Sequence, residues 1–433
     1  MHPTRRTVMT SAATVAFLSA TSGPLSFAAS ARAQGTDRAT VRSISAMAFG
    51  PNGRLVIADW RSDALHALAL PKKEPAAEAS FNVKALDAAI AKAEGLEPGR
   101  IKPTAVAMEP SNGHAVVAYK AGASPEAPAR LAMVNPSGAV EIVDPAELTV
   151  STQPLSDRPG DALIWNETPA RTLLVTDIVP HELPGGGTEL LVAGLANADF
   201  SSTLRRVPYP FTGEIAVSEI EMYHTVHNQI ETRAPIRAMS IVELGGEEHL
   251  LAAYTCTPLV TAPLSALVDG ASVRAKTIAE LGFGNTPLSI MPFDIDYHGE
   301  TSKWVMVANA AKAADLISLD AIAAANAAPG IKEPVKVPFE TTKGVIGAQM
   351  PITNLVGMVD QGPQFLLALR RGPQSGELEL VSFRKGAFFR LSDFINEYDL
   401  PSYEYGEDSF QQDYIRPFHR MMKTDEGHAD LIE

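Results

Sequence analysis

Short apolar runs separated by tight turns recur along most of this chain, and that pattern limits what it can fold into more than any other feature. The clearest instance runs from Val41 to Leu70. Ile44, Ala46 and Ala48 alternate with Ser45 and Met47, and Pro51-Asn52-Gly53 turns the chain. Leu55-Val56-Ile57-Ala58 runs back, Arg61-Ser62-Asp63 turns again, and Leu65-His66-Ala67-Leu68 supplies a third strand. Asn-Gly between apolar runs is a strong hairpin signal because both residues tolerate positive φ. Three short antiparallel strands with tight turns make most of a propeller blade.

The unit repeats. Thr104–Met108, Ala115–Tyr119, Leu131–Val134 and Val140–Val143 form a second. Ala162–Trp165 and Leu173–Thr176 open a third, extended by Leu190–Ala193 and Leu204–Val207. Ile236–Val242, His249–Tyr254, Leu259–Pro263 and Val273–Ile278 form a fourth. Leu288–Tyr297, Trp304–Ala308 and Ala314–Ser318 form a fifth, and Val345–Val359, Gln364–Leu369 and Leu378–Phe383 a sixth. The expectation is an all-β chain with one six-bladed propeller over residues 34–385, or seven blades if the third unit splits. Radial repetition hides sheet edges, so many short strands can share one chain. Val83, Leu86, Ile90 and Ala93 lie at helical spacing and predict an inserted helix over Val83–Glu94. Residues 386–433 lose the repeat. A short helix capped by Ser392 and an acidic aromatic tail are expected there, packed on the propeller.

Composition narrows the function classes. Hydrophobic residues are 45% and charged residues 20%, which rules out a disordered chain. The formal net charge of −14 repels nucleic acid and anionic lipid, so no nucleic-acid partner is expected. A single cysteine, Cys256, excludes an intrachain disulfide. Residues 1–33 read as a cleavable export signal: Arg5-Arg6, a mildly apolar stretch from Val8, then Ala31-Arg32-Ala33. The arginine pair and modest hydrophobicity suit twin-arginine (Tat) export. The mature chain is expected in the periplasm, with no transmembrane segment.

The candidate chemistry centres on Tyr223-His224-Thr225-Val226-His227-Asn228, followed by Glu231 and Arg233, in the link between the third and fourth units. Such links are expected on a propeller face, near the mouth of the central channel. His224 and His227, three apart, with Glu231 as a third donor and Cys256 as a soft candidate, form a candidate metal set for copper, zinc or calcium. Arg205, Tyr223, Arg233 and Arg237 are candidate ligand-binding residues, since guanidinium groups in an acidic protein attract a carboxylate or phosphate. The remaining histidines beyond the export segment, His66, His114, His181, His249, His298, His419 and His428, read as structural or surface residues.

Three stretches carry a resemblance: Gly194 to Arg205; Tyr223-His224 with Glu231 to Pro235; and Ala253 to Val260. Over residues 40–320 they resemble an uncharacterised group of bacterial exported β-propeller proteins. A third-unit insertion around Pro180 to Gly187 and the long acidic tail read as departures from that group. The first unit resembles an NHL or gluconolactonase-type blade. The resemblance implies the fold and no activity. On the residues, the first expectation is a periplasmic binding or accessory protein, holding a small molecule, metal or protein partner near its channel. The alternatives are a metal-dependent oxidoreductase, with copper, and a calcium- or zinc-dependent hydrolase of lactonase or phytase type.

Overall fold

A computed structural model describes residues 40–386 except 77–78, 165–166, 256, 283–284, 298–299 and 337–341. The signal segment, Cys256, Trp165 and the C-terminal tail with its expected helix lie outside the described residues. Within them the chain is a six-bladed β-propeller with two α-helices. No helix among the described residues is long and apolar enough to cross a membrane.

Numbered by first appearance in the chain, the innermost strands of blades 1 to 6 are Met47–Phe49, Ile101–Met108, Asp177–Glu182, Ile236–Leu244, Pro287–Tyr297 and Leu355–Asp360. Their neighbours around the axis do not follow that order. The inner strand of blade 1 packs against those of blades 2 and 3, and blade 2 also meets blade 6. The ring therefore reads 2-1-3-4-5-6. Six buried cores match its six interfaces. Leu55 and Ile57 face Val116 and Leu131 of blade 2, whereas Val56 and Ala58 face Leu190 and Val192 of blade 3. Alternate residues of one strand thus feed two cores, which is why Leu55–Asp59 is buried at every position.

This ring order needs two exchanged strands. After blade 1's third strand, Ala64–Leu68, the chain lays Asn82–Val83 on the outer edge of blade 6, pairing Leu380 with Val83 and Val381 with Asn82. It then builds blade 2 and returns to complete blade 1 with Val150–Pro154. Ser382 and Phe81 exchange hydrogen bonds across the closure, and Lys84 reaches Glu379 at 2.6 Å.

Several sequence expectations are corrected. Val83 belongs to the closing strand, so the inserted helix spans only Leu86–Glu94, entered through Ala85 at φ 48°. Leu163–Ile164 pairs with Thr168–Pro169 in a small separate hairpin, and blade 3 opens at Asp177, one residue beyond Thr176. The Gly185-Gly186-Gly187 segment is the turn of that blade's inner hairpin. The expected single strand over Val345–Val359 divides. Ala348–Met350 closes blade 5, and Leu355–Asp360 opens blade 6. Ser272–Arg274 pairs in parallel with blade 3, while Lys276–Glu280 forms the fourth strand of blade 4. The helix Leu319–Ala327 has no counterpart in the sequence reading. Its alanines give little amphipathic pattern, and only Ile322 is fully buried.

Each inner strand carries an extra residue where it enters the blade. The register slips between Pro103 and Ala105, Ile236 and Ala238, Pro287 and Ser289, and Leu355 and Gly357. In blade 1, Ser45 N–H donates to Ala58 O while Ala58 N–H donates to Ala46 O. In blade 3, Thr176 N–H donates to the carbonyl of Ala193, the residue paired with Asp177. A bulge bends its strand and re-aims a side chain.

Gly194 marks a tight approach in blade 3. A Cβ there would lie 2.0 Å from the carbonyl oxygen of Leu174. Because the obstacle is backbone, relief requires moving the 170–176 segment. Gly194→Ala is expected to cost about 3 kcal/mol or more, measured by denaturant unfolding. A change under about 0.5 kcal/mol, the scale of an ordinary surface substitution, would contradict this packing.

Candidate functional site

The segment singled out in the sequence forms a hairpin. Blade 3's outer strand, Ala216–His224, turns at Thr225–Asn228 and pairs back with Gln229–Glu231, placing His224 opposite Gln229 and Met222 opposite Glu231. Asn228 takes φ 52°, which the turn requires, and the Tyr223 hydroxyl donates to its side-chain oxygen at 2.8 Å. Blade 3's inner strand, not this hairpin, faces the axis. His224, His227 and Glu231 therefore sit at the outer rim, and the expected position at the channel mouth is corrected. The physical reason is that the chain pairs back on the outermost strand before it crosses inward to Ile236.

At the rim the three side chains converge. The ligating atoms of His224, His227 and Glu231 all lie within 4.8 Å of one another. His224 Nδ1 is 3.0 Å from Glu231 Oε2, and His227 Nδ1 is 2.5 Å from Glu231 Oε1. The two imidazole rings are 4.2 Å apart between centroids. His224 is buried, whereas the His227 side chain is 51% exposed, so the cluster opens to solvent on one side. Burial alone would raise the Glu231 carboxyl; the two imidazoles outweigh it and hold it down at about 2.

Behind the cluster lies Glu280, at the end of blade 4's fourth strand. Thr225 donates its hydroxyl to Glu280 Oε2 at 2.5 Å, while Oε1 is buried without a hydrogen-bond partner among the described residues. Burial pushes the Glu280 carboxyl up, against the pull of Thr225 and the neighbouring imidazoles. Glu280 carries no local signal in the sequence. No short-range pattern links it to the 223–231 hairpin, and only packing between blades 3 and 4 brings it there.

The four candidate ligand-binding residues separate. Arg205 is fully buried. Its Nε donates to both Asp157 oxygens at 3.0 and 2.8 Å, and its Nη atoms donate to Leu174 O and Leu195 O. It fastens the 157 and 174 segments to blade 3 and is engaged by the protein itself, which corrects its expected role at a ligand. Tyr223 belongs to the rim hairpin, and Arg233 is exposed on the crossing that follows. Arg237 alone of the four lines the central channel.

That channel is a cavity of about 440 Å³ bounded by all six inner strands. Among the described residues, Arg237 is its one basic lining residue, and Asp177 and Asp360 are its acids. Asp360 is held by Lys385 Nζ at 2.6 Å. Asp177 accepts hydrogen bonds from the backbone N–H groups of Ile178 and Met239, at 2.9 and 2.8 Å. Burial raises its carboxyl to about 7, outweighing those bonds and the Arg237 charge. Asp177 escapes the sequence reading because that reading ends the strand at Thr176.

No family model matches the chain, and no curated protein matches it. Solved structures do. The BBS1N protein in complex with ARL6DN matches at 12% identity and TM-score 0.29, covering 77% of this chain and 76% of its own. A protein described as a gluconolactonase by family matches at 10% identity and TM-score 0.26, over 82% of this chain and 94% of its own. A protein from Lactobacillus plantarum matches at 10% identity and TM-score 0.26, over 79% and 85%. Likeness at this level carries no functional argument, so function rests on the residues of the site.

Arg205→Ala removes the donors of one carboxylate and two carbonyls from a buried position, and is expected to destabilise by about 3 kcal/mol, read by urea unfolding. A loss below about 1 kcal/mol, the range of an exposed pair, would refute the fastening role. Asp177 binds its proton more tightly in the folded chain than in the unfolded one. Its contribution is therefore fully present below its unfolded value of 3.8 and is lost as pH rises toward about 7, at up to about 1.4 kcal/mol per pH unit. Asp177→Asn is expected to flatten that slope in unfolding measured across this range, and an unchanged slope would exclude Asp177 as its source.

Proposed function

We propose that this chain is an exported binding protein that holds a divalent transition-metal ion on the rim of its propeller, with His224, His227 and Glu231 as ligands. The single observation that carries this reading is the convergence of two imidazoles and a carboxylate within 4.8 Å. Two nitrogen donors and one carboxylate suit zinc or copper(II). Calcium prefers six to eight oxygens, so the donor set disfavours it. The buried Glu280 carboxyl, held by the Thr225 hydroxyl, stands behind the site. Cys256 stays a proposed fourth donor. Arg5-Arg6 and Ala31-Arg32-Ala33 support export to the periplasm.

A second reading is a metal-dependent oxidoreductase. The half-exposed His227 favours it, because an ion held there keeps one side open to water or substrate. Redox turnover with copper but none with zinc would select it.

The purified full chain, stripped with chelator and titrated with Zn²⁺ by calorimetry, is expected to take up one equivalent. His227→Ala and Glu231→Gln are each expected to weaken binding by about tenfold or more. Affinity is expected to fall below about pH 6.5, where imidazoles protonate. Absence of uptake by the folded wild-type chain, or undiminished uptake by both variants, would overturn the assignment.

A further inference from the structure

The six bulge residues are Ser45, Thr104, Thr176, Arg237, Leu288 and Val356, and every one of them lines the central cavity. All six inner strands enter their blades at this level, so the bulges form one ring around the axis. In ring order the residues read Thr104, Ser45, Thr176, Arg237, Leu288, Val356. Hydroxyls and a guanidinium occupy one continuous arc, and two branched aliphatic side chains occupy the rest.

Two bonds show how the arc is held. Ser45 Oγ donates to Val175 O at 3.1 Å, and Thr176 Oγ1 donates to Ile236 O at 2.5 Å. Each hydroxyl thus reaches the carbonyl just before the next blade's bulge residue. Arg237 and Thr104 break that pattern. Arg237 makes no hydrogen bond or ion pair within 4 Å among the described residues, and both Asp177 oxygens are engaged by backbone N–H groups. Thr104 Oγ1 is buried without a hydrogen-bond partner among the described residues. A guanidinium in a confined cavity needs an anion or water to complete its donors.

We infer that this ring is a binding site for a short aliphatic monocarboxylate, with the carboxylate on Arg237 and the alkyl part against Leu288 and Val356. The cavity volume falls within the range of small-molecule sites. A guanidinium recognises a carboxylate through paired N–H donors. The inference is independent of the rim metal, because it uses none of the same residues.

The test is calorimetric titration of the full chain, in chelator, with butyrate, acetate and the uncharged control butyramide. Butyrate is expected to bind saturably and, with two more buried methylenes, about tenfold tighter than acetate. Arg237→Met is expected to weaken butyrate by about tenfold or more, and Arg237→Lys to retain part of the affinity. Circular dichroism confirms that each variant is folded. Equal binding of butyrate and butyramide, equal binding of butyrate and acetate, no butyrate binding, or full affinity in folded Arg237→Met would each overturn it.

Discussion

Closure of the ring depends on a short ladder between distant parts of the chain: Asn82–Val83 lies against Leu380–Val381. The ladder is only two residues long, and side chains reinforce it. Lys84 reaches Glu379, Arg371 reaches Asp87 at the start of the inserted helix, and Phe81 and Ser382 exchange hydrogen bonds. Without it blade 6 would expose its outer edge, and the core shared by blades 2 and 6 would lose the cover of Leu86 and Ile90.

The same exchange explains why blade 2 sits between blades 6 and 1. A chain that commits its second segment to the far side of the ring must return to finish blade 1, which it does with Val150–Pro154. Each blade then has apolar residues on both faces, and each interface has its own core. The inner strands are left to define the axis. Their bulges turn one side chain per blade toward the cavity, so a regular framework displays unlike residues at one level.

One candidate site lies on the outer edge of blade 3 and the other around the central axis. The rim cluster is made largely within one hairpin, where the turn at Asn228 brings His224, His227 and Glu231 together. The channel ring is made by six strands from the whole chain. The first was legible as a His-x-x-His pattern with a nearby acid. The second was legible only in Arg237, while Thr104, Leu288 and Val356 had no local signal. Arg205 reads in the sequence as a candidate ligand-binding guanidinium, and only burial shows it fastened to Asp157.

By itself the sequence determined most of the strands, their turns and the antiparallel neighbours within each blade. Those pairings are set by alternating apolar residues and by turn residues a few positions apart. Tertiary structure alone decided the order of blades, the strand exchange at Asn82–Val83, the rim position of His224 and the ring around Arg237. These depend on contacts between segments tens to hundreds of residues apart, and the short-range pattern that encodes a hairpin carries no information about which distant edge will cover it.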